Sequence, residues 1–170
     1  MAEARLPVPA ERAFRDALGC YATGVAVVTG VSPQGTPFGL TINSFSALSL
    51  APPLILWSLR SNSPLVDCFE DGRPFAVNVL AADQQAVARQ FATPRDDRFA
   101  GIAWRTGPLG TPHLDDAVAV FDCRLSARHS AGDHELLVGH VQQFTSTPAE
   151  PLLFLRGSFR VPGPDLSPRA

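Results

Sequence analysis

Five short polar side chains interrupt an otherwise apolar segment at residues 39–54, GLTINSFSALSLAPPL. They belong to Thr41, Asn43, Ser44, Ser46 and Ser49. Hydroxyl and amide groups of this size suit a phosphate, a ribityl chain or the edge of a heterocycle. In a strand, Thr41 and Asn43 would share one face, and Ser44 would lie on the other. A sheet-edge strand whose hydroxyls face water has the same composition, so both interpretations stay open.

A second polar segment, Arg60-Ser61-Asn62-Ser63, lies between a predicted strand at 54–59 and a predicted helix at 65–71. Arginine can bind a phosphate through two parallel hydrogen bonds, and the free N–H groups at a helix start favour an anion. An ordinary helix cap, with Ser63 as N-cap and Pro64 at the first helical position, is the alternative. If both polar segments are functional, two successive strands deliver polar ends to one place, as a dinucleotide or flavin site requires.

Three further features are candidates for a ligand site or for the core. The Gly132-Asp133-His134 turn precedes a predicted strand and could present His134 to a ligand, or simply close a hairpin. Phe159 could stack on a planar ligand, although a core aromatic is more common. Asn78 lies inside a buried strand, needs a hydrogen-bond partner and is predicted to be structural. The other histidines, His113, His129 and His140, are expected at the surface or rim.

Composition excludes several classes of protein. The chain has 170 residues, 45% of them hydrophobic and 18% charged, which predicts one globular domain. A net charge of −2 argues against nucleic acid or an anionic membrane as the main partner. All 14 basic residues are arginine, so Schiff-base lysine chemistry and a P-loop are excluded.

The three cysteines, Cys20, Cys68 and Cys123, lack metal-ligand spacing and are expected to be buried free thiols. The sequence shows no apolar leader, so a cytoplasmic location is expected.

Periodicity and turn residues predict the elements that must position these groups. We expect a flexible arm at 1–9, a single domain at 10–161 and a disordered tail at 162–170. The predicted helices cover residues 10–21, 65–71 and 83–91. The predicted strands cover residues 25–31, 36–52, 54–59, 75–80, 117–127, 135–145 and 152–161. Seven strands joined mainly by hairpins predict a mainly β fold, an antiparallel barrel that is closed or nearly so.

Taken in order, six segments resemble the flavin reductase-like family, the reductase components of two-component flavin-dependent monooxygenases. They are FRDALGCYATGVAVVT, GLTINSFSALSLAPPL, FAVNVL, DDRFAGIAW, GDHELLVGHV and PLLFLRGSF, and they span residues 14–160. The resemblance implies an FMN-binding split β-barrel of antiparallel Greek-key type that works as a homodimer. Its cofactors would be FMN or FAD, with NADH or NADPH as reductant.

The resemblance also implies roles for individual residues. Thr41, Asn43 and Ser44 would hold the flavin ring and ribityl chain, with Ser46 and Ser49 as supports. The turn at 60–63 would take the phosphate. His134 would lie where the nicotinamide docks, and the Asp97-Arg98-Phe99 element and Phe159 would lie near the same pocket.

The implied activity is an NAD(P)H-dependent flavin reductase that supplies reduced flavin to a partner monooxygenase. Hydride passes between the two cofactors, so no strong general base is needed. The sequence offers none, because the adjacent Asp115 and Asp116 would point apart on a strand. A non-catalytic flavin-binding or electron-transfer barrel is the alternative function.

Overall fold

The structure, a computed structural model, describes residues 7–164. Its helices are α1 (Val8–Leu18) and α2 (Gln85–Ala92), and a 3-10 turn covers Val66–Cys68. The strands are β1 (Thr23–Gly24), β2 (Ala26–Val31), β3 (Pro37–Ile42), β4 (Ser46–Leu50), β5 (Pro53–Arg60), β6 (Pro74–Val79), β7 (Trp104–Thr106), β8 (Pro112–Leu114), β9 (Ala119–Ala131), β10 (His134–Ser146), β11 (Leu153–Leu155) and β12 (Ser158–Arg160). No helix within residues 7–164 is long and apolar enough to cross a membrane.

One antiparallel sheet of seven strands forms the body of the molecule. Its strand order is β3-β2-β6-β9-β10-β5-β4. The consecutive strands β3 and β4 therefore occupy the two outer positions, and residues 43–45 connect one edge of the sheet to the other. Two smaller sheets, β1-β11-β12 and β7-β8, complete the fold. The predicted mainly β, antiparallel architecture is confirmed.

Three predicted elements differ from the observed ones near the candidate site. The strand predicted through residues 36–52 is two strands, because the chain leaves the sheet after Ile42 and re-enters it at Ser46. The helix predicted at 65–71 is wrong, since only the three-residue 3-10 turn forms there. The strand predicted at 152–161 is the hairpin β11–β12, whose turn holds Arg156 and Gly157 at φ of 49° and 75°.

The chain termini also differ from expectation. Helix α1 begins at Val8, inside the arm predicted for residues 1–9, and ends at Leu18 rather than at residue 21. Proline is tolerated in a first helical turn, where no intrahelical N–H bond is lost, so Pro9 does not delay the helix. The remainder of the predicted arm and the predicted tail from residue 165 onward lie outside the described residues.

An aromatic cluster lies in the main hydrophobic core. Trp57 and Phe69 have ring centroids 4.9 Å apart, and Phe75 lies 6.1 Å from Trp57 and 6.0 Å from Phe69, all with edge-to-face geometry. A Cβ at Gly139 would lie 2.6 Å from the Phe75 ring, so only glycine lets β10 approach this cluster. The rings are at most 2% exposed.

The buried Asn78 side chain ties three elements together, which agrees with the structural role predicted for it. Its amide donates to the Val27 carbonyl at 3.1 Å and to the Thr29 hydroxyl at 3.0 Å, both on β2. Its carbonyl oxygen accepts the Leu114 N–H of β8 at 2.8 Å. Each polar atom of a fully buried amide therefore has a partner, as its burial requires.

His113 corrects the expectation that it lies at the surface or rim. It is 5% exposed, and its Nε2 lies 2.7 Å from Oδ1 of the buried Asp122. A Cβ at Gly107 would lie 2.1 Å from that Nε2, so a glycine packs directly over the ring. The neighbouring Pro112 and Leu114 are buried as well, because β8 packs inward.

The three cysteines are free, as predicted, but only one is buried. Burial raises the pKa of the Cys123 thiol to about 12. Cys20 is exposed because it follows α1, a helix that buries none of its residues. The expectation of three buried thiols is therefore wrong for Cys20 and only partly met by Cys68.

Replacing Asn78 should be costly to the fold. Asn78→Ala leaves the buried Leu114 N–H without a partner and removes both bonds to β2, so we expect urea denaturation to show a free energy of unfolding lower by about 2–4 kcal/mol. Asn62→Ala, an exposed asparagine, is the control and should change it by less than about 0.5 kcal/mol. Equal stability of the two variants would contradict the role assigned to Asn78.

Candidate functional site

A large cleft opens where the two edges of the seven-stranded sheet separate. Its volume is about 1130 Å³, slightly above the usual range for small-molecule sites. It is lined by residues 36–44, 58–60, 62–65, 91–92 and 95–99, together with Trp104 and His134. The first two polar segments singled out in the sequence thus reach the same cleft.

The polar residues at the end of β3 and just after it differ in whether their side chains are already hydrogen-bonded within the protein. The Thr41 hydroxyl donates to the Ala88 carbonyl of α2 at 2.7 Å. The Ser44 hydroxyl accepts the Ser58 N–H at 3.1 Å and donates to the Ser58 carbonyl at 3.4 Å. The exposed Asn43 side chain makes no hydrogen bond to another residue in the range 7–164. All three line the cleft, but only the Asn43 side chain is uncommitted, that is, without a hydrogen-bond partner among the described residues.

The turn at 60–63 lies on the opposite wall. Its backbone is closed by the Ser63 N–H, which donates to the Arg60 carbonyl at 2.9 Å. Without a helix at 65–71, the predicted contribution of a helix N-terminus to anion binding is lost. The Ser63 hydroxyl instead accepts the Leu65 N–H at 3.3 Å. Arg60 and Asn62 line the cleft and have no side-chain partner in the described part of the chain.

His134 enters the cleft because of strand register. In the pairing of β10 with β5, His134 stands opposite Arg60, so the histidine and the polar turn are neighbours across the sheet. Its Nδ1 lies 2.7 Å from Asp133 Oδ1, and this hydrogen bond lowers the pKa of the Asp133 carboxyl. Nε2 is left available on the ring. The turn also closes a hairpin with β9, as one interpretation predicted, and the contact of His134 with a ligand stays a prediction.

A carboxylate that the sequence did not single out lies behind the turn. Glu135 is 6% exposed and accepts hydrogen bonds from Ser61, Arg128 and Ser130. The bond from Arg128 is the main reason that its pKa is lowered. The only available signal was a charged residue at an inward position of an otherwise apolar strand, ELLVGHV.

The loop after α2 forms the third side of the cleft. Arg98 Nη1 donates to the Gly39 carbonyl of β3 at 2.7 Å. The Gln90 amide holds this loop by donating to the Arg98 and Ala100 carbonyls, both at 2.9 Å. Phe99 packs edge-to-face on Phe91 with a centroid distance of 5.0 Å. The aromatic wall and the Arg98 contact therefore depend on α2 lying against β3.

Four predicted site residues do not line this cleft. The Ser46 hydroxyl donates to the Ala47 carbonyl, and Ser49 lies further along β4, away from the opening. The Ser61 hydroxyl is directed to Glu135. Phe159 packs on Phe154 with a centroid distance of 5.6 Å, and the Arg89 guanidinium lies 5.2 Å from its ring centre. Their contact with a cofactor stays a prediction.

The groups in the cleft fit a flavin nucleotide. Uncommitted Asn43, Arg60 and Asn62 side chains suit a ribityl chain and a phosphate, and arginine in particular matches phosphate geometry. Phe99 and Trp104, whose ring centroids are 5.4 Å apart, supply an apolar wall for a planar ring.

Comparison with known proteins identifies the family. The model of the flavin reductase like domain matches residues 18–163. FMN reductase (NADH) SmoA from Agrobacterium fabrum is 41% identical over 148 residues, which are 87% of this chain and 84% of the relative. The flavin-dependent monooxygenase reductase subunit HsaB from Rhodococcus jostii is 41% identical, over 91% of this chain and 79% of the relative. Two other curated relatives are longer, and the chain spans 49% of their length.

A solved structure agrees with the sequence matches. The NADH:FAD oxidoreductase SgcE6 from Streptomyces globisporus, a complex with NAD and FAD fragments, superposes with a TM-score of 0.87 at 36% identity. The match covers 96% of this chain and 100% of that chain. The resemblance predicted from six sequence segments is confirmed, and so is the flavin reductase class of enzyme. The chain belongs to the flavin reductase-like family.

Proposed function

We propose that the protein is an NAD(P)H-dependent flavin reductase that acts on FMN or FAD in the cleft between β3 and β5. The observation that carries the proposal is the convergence of uncommitted Asn43 and Arg60 with His134 at one opening, from segments far apart in sequence. Relatives named FMN reductase (NADH) and NADH:FAD oxidoreductase support the same pair of ligands.

We assign the two walls of the cleft to different parts of the flavin. Asn43, with the backbone at Thr41 and Ser44, would contact the ring and ribityl chain. Arg60, Asn62 and Ser63 would hold the phosphate, with arginine as the bidentate partner. The hydroxyls of Thr41 and Ser44 act indirectly, since their bonds to Ala88 and Ser58 keep this wall in place.

His134 is assigned to the nicotinamide side. Its Nδ1 contact with Asp133 orients the ring and leaves Nε2 to face a ligand. Arg98 and Phe99, on the loop over the cleft, would complete this side and exclude water from the reacting rings.

The chemistry of hydride transfer is supplied by the flavin and the reduced nicotinamide when both are bound. The chain has to hold two planar rings in contact, which supplies much of the rate through orientation alone. Fixed donors at the flavin edge would stabilise the charge that builds there. No residue of the cleft has to remove a proton from carbon, because the hydride passes directly between the two cofactors.

We further propose that the protein is a homodimer that passes reduced flavin to a partner monooxygenase. Helix α1 is amphipathic yet buries none of its residues, and Phe14 and Leu18 on it are 54% and 58% exposed. Leu50 on β4 and Phe144 on β10 are 94% and 67% exposed. A second copy would cover such apolar surface.

The relative HsaB, named as a monooxygenase reductase subunit, supports the proposal of a partner monooxygenase. The free thiols support a cytoplasmic location.

A steady-state assay tests the activity directly. Purified protein should oxidise NADH or NADPH only when FMN, FAD or riboflavin is added, because the flavin is the hydride acceptor. Absorbance at the nicotinamide band measures the rate for each of the six combinations. A protein that binds FMN and stays yellow but oxidises neither nucleotide would instead be a non-catalytic flavin carrier.

His134→Ala should separate the two ligands. We expect kcat/KM for the nicotinamide to fall about tenfold, the effect of losing one hydrogen bond in the transition state, while the flavin Kd changes less than about twofold. His129→Ala is the matched control, because His129 is exposed on β9 and does not line the cleft. An equal loss of flavin affinity in His134→Ala would show that His134 serves the flavin instead.

The dimer can be tested at Leu50, the most exposed large apolar residue in the described part of the chain. Leu50→Asp should shift the species seen by sedimentation velocity from dimer to monomer, because a buried unpaired carboxylate costs several kcal/mol at an interface. Val161→Asp, at a residue 62% exposed beyond β12, is the control for a charge added elsewhere. A monomeric wild-type protein at micromolar concentration would overturn the proposal.

A further inference from the structure

We propose that Glu135 is a positioning residue that holds the turn at 60–63 in the shape that binds the flavin phosphate. The proposal rests on the proposed function, because it takes that turn as the phosphate site. It assigns to a buried carboxylate, outside the cleft, control over the selectivity for FMN against riboflavin, which lacks the phosphate.

Glu135 connects the turn to the rigid part of the sheet. Its Oε1 accepts the Ser61 hydroxyl at 3.1 Å, and the Ser130 hydroxyl lies 3.1 Å from both carboxylate oxygens. Its Oε2 accepts Arg128 Nε at 3.0 Å. Ser130 and Arg128 belong to β9, and Glu135 to β10, so two long paired strands anchor the turn through a single side chain.

The backbone of Ser61 gives the turn at 60–63 a second attachment. The Ser61 N–H donates to the Asp133 carbonyl at 3.0 Å. Ser61 is therefore held at its backbone and at its side chain by the start of β10, while the flanking Arg60 and Asn62 line the cleft. Fixing the middle of a short turn restricts both neighbours, which is how a supporting shell keeps binding groups in place.

Charge makes the arrangement suitable for an anion. A carboxylate behind a phosphate site would repel the ligand unless its charge were balanced. The positive charge of Arg128 balances the Glu135 carboxylate. Arg128 is held there by its bond to Glu135 and by a second bond, from its Nη1 to the Val66 carbonyl at 3.4 Å. Arg60 forms no ion pair with another residue of the described range, so its positive charge remains for the ligand.

The location of Glu135 and Ser61 favours a positioning role over direct binding. Glu135 is buried and does not line the cleft, and Ser61 does not line it either. The Ser61 hydroxyl is the contact through which the Glu135 side chain reaches the turn at 60–63. Loss of either partner breaks the same link, so the two residues should behave as one unit.

Flavin fluorescence titration of wild type, Glu135→Ala, Ser61→Ala and the double variant tests this. We expect Glu135→Ala to raise the Kd for FMN about tenfold, the size of one lost charge-assisted hydrogen bond, and the Kd for riboflavin less than about twofold. Ser61→Ala should match it, and the double variant should lose no more than about what either loses alone. Glu135→Gln keeps the volume and an acceptor oxygen for Ser61, and it should restore part of the FMN selectivity.

Glu70→Ala is the control, since Glu70 also pairs with an arginine, Arg73 at 3.4 Å, but lies outside the cleft and its supporting contacts. It should leave the ratio of the two Kd values unchanged. Equal losses for FMN and riboflavin in Glu135→Ala, additive losses in the double variant, or a wild type that does not prefer FMN would each overturn the proposal. Failure of the proposed function is separate, because it appears as wild-type protein that binds flavin but oxidises no NAD(P)H.

Discussion

The Ser44 hydroxyl holds the connection between β3 and β4 against β5, at the rim of the cleft. The β4–β5 ladder starts at the pair Ser46–Leu56, and two residues further along β5 the backbone of Ser58 bonds to Ser44 instead of to a strand. Beyond Ser58, β5 continues to Arg60 with β10 on one side only. A side chain thus takes the place of a strand beside Ser58, and the free side of β5 beyond it borders the cleft.

Around this opening, polar residues serve two purposes that composition does not distinguish. Three hydroxyls are hydrogen-bonded within the protein: Thr41 to Ala88, Ser44 to Ser58 and Ser61 to Glu135. These bonds fix α2, the sheet edge and the polar turn, respectively. Asn43, Arg60 and Asn62 lie between them and remain free for a ligand. The bonded groups hold the backbone that carries the free side chains, so mainly these side chains would lose conformational entropy on binding.

The wall opposite the turn depends on close packing as well as on polar bonds. A Cβ at Gly39 would lie 2.6 Å from the Phe91 ring, so glycine lets α2 approach β3 closely. Phe91 then supports Phe99, and the loop that carries Phe99 reaches back through Arg98 to the Gly39 carbonyl. The same glycine therefore sets the helix packing and accepts the contact that holds the loop, which couples the stability of α2 to the shape of the cleft.

Local sequence determined much of the molecule. β-branched runs and turn residues predicted most strands, the buried role of Asn78 followed from one amide in FAVNVL, and six segments identified the family. The tertiary structure alone decided that 65–71 is not helical, that His113 is buried beside Asp122, and that Ser61 faces Glu135 rather than the cleft. These outcomes depend on strand register and on packing between distant segments. A single sequence records which groups need partners, and only long-range pairing decides which partners they meet.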